Sequence, residues 1–79
     1  MRNRVSNPVI AQRIEIVVNG ERRTVPSGQN LVEILANLGL EADRVAVELD
    51  RAIIRKSDWE KTVVPDGAHL EVVQFVGGG

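Results

Sequence analysis

The sequence predicts an α+β fold in which a mixed sheet packs on one main helix. Apolar residues at every second position of the segment 13–18 give the pattern of a strand with one buried face. The segment 31–38 carries apolar side chains at helical spacing, which predicts one amphipathic helix. Because further strand patterns follow, the apolar stripe of this helix is expected to pack on a sheet, giving a two-layer domain.

Length and composition limit the class of protein. The 79 residues hold 10 Lys and Arg against 11 Asp and Glu, which gives a net charge of −1 and room for one domain. Such a charge does not favour a nucleic-acid binder, and we expect no secretory signal or membrane span, because no apolar run is long enough. Cysteine is absent, which removes disulfides and zinc–thiolate sites and fits the cytoplasmic location that we expect.

The chain divides into three parts by pattern. Residues 1–12 show no period, and we interpret them as a flexible extension, with an added strand or a nucleic-acid-binding arm as alternatives. The folded domain is predicted for 13–76, and a flexible glycine tail for 77–79.

A β-hairpin is predicted at the start of the domain. Asn19-Gly20 follows the first strand at once, and both residues tolerate the positive φ of a type I′ turn. Residues 21–25 are then expected to return as a polar edge strand. Pro26 has no N–H to donate, so it ends that strand.

The helix carries start and stop signals. Asn30 is a good N-cap, and Glu33 three residues later predicts a capping box. Gly39 suits the left-handed position that ends a helix, with Leu40 folding back as in a Schellman motif. The apolar stripe consists of Leu31, Ile34, Leu35 and Leu38.

Strand and turn patterns alternate after the helix. Residues 45–49 predict a third strand, and a turn at Asp50-Arg51-Ala52 leads to the short apolar pair Ile53-Ile54. Pro65-Asp66-Gly67 is a strong turn signal. The last strand is predicted for 70–76.

Few side chains suggest chemistry of their own. Ser57 is expected to cap a short helical turn that tucks Trp59 into the core or over it as a lid. His69, the sole histidine, begins a strand and is expected to be exposed rather than catalytic. Asp58 and Glu60 are expected to be solvated, and no metal site is predicted.

The unusual feature is the run Gly77-Gly78-Gly79. Glycine loses the most backbone entropy on ordering and adds no packing, so these residues do not serve the core. Three residues extend about 10 Å, enough to bring a terminal carboxylate into a narrow channel of a partner. A frayed end or an expression remnant is the alternative. Phe75, beside the tail, is expected either to pack inward or to dock a partner.

These segments together resemble the ThiS family, the sulfur carrier of thiamine biosynthesis, which has a ubiquitin-like β-grasp fold. The resemblance covers residues 13–79. The sequence departs from the family pattern at the turn 50–52, where an Asn-Gly type of sequence is expected. The stretch 55–59 favours the thiamine carrier over its molybdopterin relative. The features that carry the resemblance are Asn19-Gly20, the capped helix 31–38, Ser57-Asp58-Trp59, Pro65-Asp66-Gly67 and the glycine end.

The resemblance implies a carrier that binds no cofactor and catalyses no reaction itself. An E1-like adenylyltransferase uses ATP to convert the Gly79 carboxylate to an acyl adenylate, and a sulfur donor protein then supplies the sulfur of a C-terminal 1-thioglycine. Thiazole synthase receives that sulfur. Gly78 has no side chain, so it lets the Gly79 carboxylate enter a narrow channel of the partner. The alternatives are the small subunit of molybdopterin synthase or a related thiocarboxylate donor, and a module that binds partners non-covalently or is conjugated to lysines.

Overall fold

The computed structural model describes residues 12–75. The predicted glycine tail and all of the predicted N-terminal extension except Gln12 lie outside the described residues. The elements are β1 (Arg13–Val18), β2 (Glu21–Pro26), α1 (Leu31–Asn37), a 3₁₀ turn (Ala42–Arg44), β3 (Val45–Leu49), β4 (Ala52–Ile54), a second 3₁₀ turn (Lys56–Lys61) and β5 (His69–Gln74).

The strands form one mixed sheet with the order β2-β1-β5-β3-β4. Antiparallel pairs form both ends of the sheet, and β1 and β5 run parallel at its centre. A parallel pair needs a crossover connection, and the chain between β1 and β5 contains α1. The predicted architecture, a mixed sheet on one main helix, is confirmed.

Both hairpins turn through left-handed backbone. Asn19 (φ 50°) and Gly20 (φ 84°) confirm the predicted type I′ turn. The second hairpin uses the same geometry at Asp50 (φ 48°) and Arg51 (φ 74°), where the sequence offers no glycine. Part of the strain is offset by a bond to β5, because the Asp50 Oδ1 atom accepts the His69 N–H at 2.9 Å.

The predicted signals at the two ends of α1 are confirmed. The Asn30 Oδ1 atom accepts the Glu33 N–H, and the Glu33 Oε1 atom accepts the Asn30 N–H, both at 2.9 Å. At the other end Gly39 has φ 75°, and the Leu40 N–H donates to the Leu35 carbonyl at 3.0 Å. This last bond closes a Schellman motif, so both ends of the helix are satisfied locally.

The core lies between α1 and one face of the sheet. Trp59 is its largest fully buried side chain, at 2% exposure, and its Nε1–H donates to the Ile54 carbonyl at 2.9 Å. Of the two predicted positions, in the core or over it as a lid, Trp59 occupies the core. The buried residues are Ile16, Val18, Val25, Leu31, Ile34, Leu35, Val45, Val47, Trp59, Val64, Ala68 and Leu70.

The turn that holds Trp59 begins earlier than predicted. It runs over Lys56–Lys61 with Arg55 at the N-cap and no side-chain capping bond, so the predicted Ser57 cap is wrong. An ion pair from Lys56 to Asp43 joins this turn to the first 3₁₀ turn instead. The hydrogen bond from Lys56, together with its charge, lowers the pKa of the Asp43 carboxyl.

The last strand is shifted from the predicted 70–76. It spans His69–Gln74, because His69 already pairs with Val17, its carbonyl accepts the Asp50 N–H, and its N–H donates to the Asp50 Oδ1 atom. Phe75 follows the strand, and Val76 lies outside the described residues. Over 12–75, no helix has both the length and the apolar character needed to cross a membrane.

Candidate functional site

The route to the glycine tail runs along β5, which lies between β1 and β3 in the sheet. The Phe75 N–H donates to the Arg44 carbonyl at 2.7 Å, so the backbone is still hydrogen-bonded one residue after β5 ends. Gly78 and Gly79, the predicted sulfur-carrying residues, lie outside the described residues and stay predictions. The described part of the site is therefore the end of β5 and the surface beside it.

Phe75 is 56% exposed, so inward packing, one of its two predicted alternatives, does not occur. Side chains alternate along a strand, and Leu70 of β5 points into the core at 1% exposure. Odd-numbered positions of β5 therefore point to the opposite face. Phe75 is available for docking, which remains a proposal.

The sheet surface turned away from α1 carries exposed apolar side chains on β4 and β5. Ile53 is 77% exposed and Val73 is 60% exposed. A shallow groove of about 270 Å³ runs between β4, β3 and β5. We call this surface the tail-side face and define it by Ala46, Glu48, Ile53, Glu71 and Val73, with the exposed Phe75 following at the end of β5.

The tail-side face was not among the predicted features, although the sequence carries a signal for it. Ile53-Ile54 and Val72-Val73 are consecutive apolar pairs on strands. Since neighbouring side chains on a strand point to opposite faces, each pair places one apolar side chain in the core layer and one outside it. Such pairs on β4 and β5, the two strands that flank β3, indicate an apolar outer face.

Asn19 steadies the half of β5 that leads to the tail. The backbone pairing of β1 with β5 ends at Val18 and Leu70. Beyond that point the Asn19 Oδ1 atom accepts the Val72 N–H at 2.7 Å, and its Nδ2 group donates to the Val72 carbonyl at 3.1 Å. The side chain thus replaces a strand residue and extends the pairing, a role beyond its predicted one in the hairpin turn.

We expect Asn19→Gly to lower the free energy of unfolding by about 1–3 kcal/mol, because two hydrogen bonds of about 0.5–1.5 kcal/mol each are lost. Glycine accepts the positive φ of the turn, so backbone strain does not contribute. Denaturant unfolding measures the loss, and Asn19→Asp, which keeps an acceptor for the Val72 N–H, should lose less. Unchanged stability of the glycine variant would contradict this role.

The other candidate side chains do not form a site. His69 is exposed, as predicted, and it joins the second hairpin through its backbone. Asp58 and Glu60 are also exposed, as predicted. In the part of the chain that the structure describes, no three His, Asp or Glu residues are grouped as metal ligands.

The strand order, the parallel central pair and the main helix on one face define a ubiquitin-like β-grasp domain. Comparison with known proteins gives the family. The model of the ThiS family matches residues 9–79. The chain belongs to the ThiS family.

Solved structures agree with this assignment. The crystal structure of the thiamine biosynthesis protein (ThiS) from Geobacter metallireducens is similar to this chain with a TM-score of 0.73 and 33% identity, over 84% of this chain and 100% of that one. A solution structure of a thiamine biosynthesis protein from the same organism gives a TM-score of 0.68 and 33% identity, over 84% of this chain and 88% of that one.

Similar sequences include longer proteins. Thiazole synthase of Paramagnetospirillum magneticum is 38% identical over 66 residues, which are 84% of this chain and 20% of that protein. The chain therefore spans about a fifth of that relative's length, and the same share holds for thiazole synthase of Magnetococcus marinus, at 33% identity. The uncharacterized protein ycf40 of Pyropia yezoensis is 34% identical over 71 residues, covering 90% of this chain and 100% of that protein.

Proposed function

We propose that this chain is a sulfur carrier of thiamine biosynthesis whose Gly79 carboxylate is converted to a thiocarboxylate. The observation that carries the proposal is a ThiS-family domain in which the central strand β5 leads into Gly77-Gly78-Gly79. Glycine presents no Cβ, so this end of the chain fits a channel too narrow for other residues.

The proposed chemistry needs activation by a partner. A carboxylate is a poor electrophile, because its negative charge repels a nucleophile and an oxide ion is a poor leaving group. An adenylyltransferase overcomes this by joining the Gly79 carboxylate to the AMP part of ATP with release of pyrophosphate. A persulfide on a donor protein then attacks the carbonyl carbon, and AMP leaves, which gives an acyl disulfide. A second thiol cleaves the S–S bond of this acyl disulfide, so that the thiocarboxylate is released and the two donor sulfurs end as a disulfide.

Thiazole synthase is the proposed acceptor of the sulfur. Two proteins named thiazole synthase contain a segment similar to this chain over about a fifth of their length. Joining two modules in one polypeptide raises their effective concentration for each other, which benefits a carrier and its acceptor. This arrangement in relatives supports thiazole synthase as the acceptor for this chain.

Reconstitution tests the proposal. The full chain is mixed with the adenylyltransferase, ATP and a sulfur donor, and its intact mass is measured. We expect the mass to rise by the difference between one sulfur and one oxygen atom, and to stay constant when ATP is omitted. An unchanged mass in the complete mixture would contradict the proposal, and an adduct with the mass of a second protein would instead indicate conjugation.

Phe75 gives a separate prediction for docking. We expect Phe75→Ala to weaken binding to the adenylyltransferase about tenfold, as for an aromatic anchor at an interface. The free energy of unfolding should fall by less than about 1 kcal/mol, because the residue is already 56% exposed. Titration calorimetry measures the affinity.

The matched control for Phe75→Ala is Val63→Ala. Val63 is 58% exposed and lies beside the start of α1, where it pairs with Asn30. Its replacement should leave the affinity unchanged. Equal effects of the two substitutions would show that Phe75 is not a docking residue.

A further inference from the structure

Two glutamates lie directly opposite each other at the centre of the tail-side face. Glu48 of β3 and Glu71 of β5 are cross-strand partners in register. Like charges in this position destabilise a sheet. Neither carboxylate takes part in an ion pair within residues 12–75, where the ion pairs are Arg23–Glu21, Arg44–Glu41 and Lys56–Asp43.

Apolar side chains surround this acidic pair. Ile53, 77% exposed, stands opposite Glu48 on β4, and Val73, 60% exposed, stands opposite Ala46 one step further along β5. The groove of about 270 Å³ is lined by both glutamates and by these apolar residues. The two carboxylates are therefore placed in a surface that is otherwise suited to an apolar contact.

A second groove adjoins the pair on the side of the second hairpin. It measures about 440 Å³ and includes both glutamates. Asp50 adds a third acidic side chain to its lining, and Arg51 and His69 are the basic residues there. Arg51 forms no ion pair with either glutamate, so the negative charge is left for an external cation.

The charge decides which occupant fits. A two-fold dimer through this face would bring Glu48 and Glu71 against their own copies, which repel. Phosphate groups of nucleic acids or lipids would be repelled as well. An arginine side chain fits, because its planar fork offers donors to both carboxylates and its aliphatic stem packs on apolar neighbours.

We propose that the tail-side face docks a protein surface on which an arginine, surrounded by apolar residues, inserts between Glu48 and Glu71. The occupant is the adenylyltransferase, since β5 carries part of this face and only Phe75 and Val76 separate that strand in sequence from the glycine tail that the enzyme must receive. This identification of the partner rests on the proposed function. The repulsion between the two carboxylates is then relieved only in the complex.

Charge removal at constant shape tests the proposal. Glu48→Gln, Glu71→Gln and the double variant are titrated with the adenylyltransferase at low and high salt. We expect each single change to weaken binding about tenfold, the double change to weaken it further, and the salt dependence of the affinity to become shallower. The Tm of the variants should not fall, because a repulsion has been removed.

Glu15→Gln is the matched control. Glu15 is exposed on the outer side of β1, roughly 13 Å from Glu71 along the strand direction. It has the same charge change and should bind normally. If the double variant binds within about twofold of the control with the same salt dependence, the docking proposal is overturned.

The remaining outcomes separate this proposal from the sulfur-carrier function. Sulfur loading of the unchanged chain at saturating enzyme reports the function alone. Loading without any charge dependence of binding overturns only the docking proposal, and charge-dependent binding without loading overturns only the carrier function. A loss of affinity for thiazole synthase but not for the adenylyltransferase, or self-association that strengthens in the double variant, overturns the proposed occupant.

Discussion

We expect Trp59→Ala to lower the free energy of unfolding by about 3–5 kcal/mol. The indole is the largest fully buried side chain of the described residues, at 2% exposure, and its removal leaves a cavity between α1 and the sheet. It also leaves the Ile54 carbonyl without the 2.9 Å bond from Nε1. A small domain has about 5–15 kcal/mol of stability in total, so this one change removes a large part of it.

Trp59→Phe separates packing from the hydrogen bond. The phenyl ring refills part of the cavity but donates no hydrogen bond, so the loss should be smaller than for alanine. Denaturant unfolding followed by circular dichroism measures both variants, because Trp59 is the single tryptophan and its fluorescence is lost. A loss within about 0.5 kcal/mol for alanine would place Trp59 outside the core.

The second large effect concerns the tail and bears on activity. One alanine appended after Gly79 moves the terminal carboxylate away from the position at which the adenylyltransferase would activate it. Gly78→Val adds a side chain where the channel of the partner must be narrow. Both variants should lose thiocarboxylate formation completely. Their unfolding should be unchanged, because the buried core of the described residues lies within 16–70.

The control for the extended tail is one alanine added before Met1, which should leave sulfur loading intact. Intact-mass measurement after reaction with ATP, the adenylyltransferase and a sulfur donor compares the three proteins. Full sulfur loading of the alanine-extended protein, without trimming of the added residue, would contradict the carrier mechanism.

The sequence predicted those parts of the fold that depend on neighbouring residues. The Asn19-Gly20 turn and the capping box of Asn30 and Glu33 are local, and each fixes its element within a few residues. Trp59 was placed correctly because its size and apolar character favour burial. The position of α1 on the sheet followed from its single apolar stripe.

The parts that were missed depend on register between distant strands. Only the alignment of β3 with β5 places Glu48 opposite Glu71, and periodicity within one strand carries no information on that alignment. The turn at Asp50-Arg51 was recognised, but its left-handed geometry was not, since neither residue is glycine. Ser57 has capping propensity, yet the turn starts at Lys56, so Ser57 lies inside the turn and does not cap it.

The most direct test of the central claim is to locate the sulfur atom after loading. Cleavage after Lys61 releases residues 62–79, which contain no further lysine or arginine, and fragmentation of this peptide shows which residue carries the added mass. The chain has no cysteine, so a persulfide on its own side chains cannot explain added sulfur. We predict that the sulfur replaces one carboxylate oxygen of Gly79. Sulfur elsewhere in the chain, or an unmodified 62–79 peptide from the loaded protein, would contradict the account.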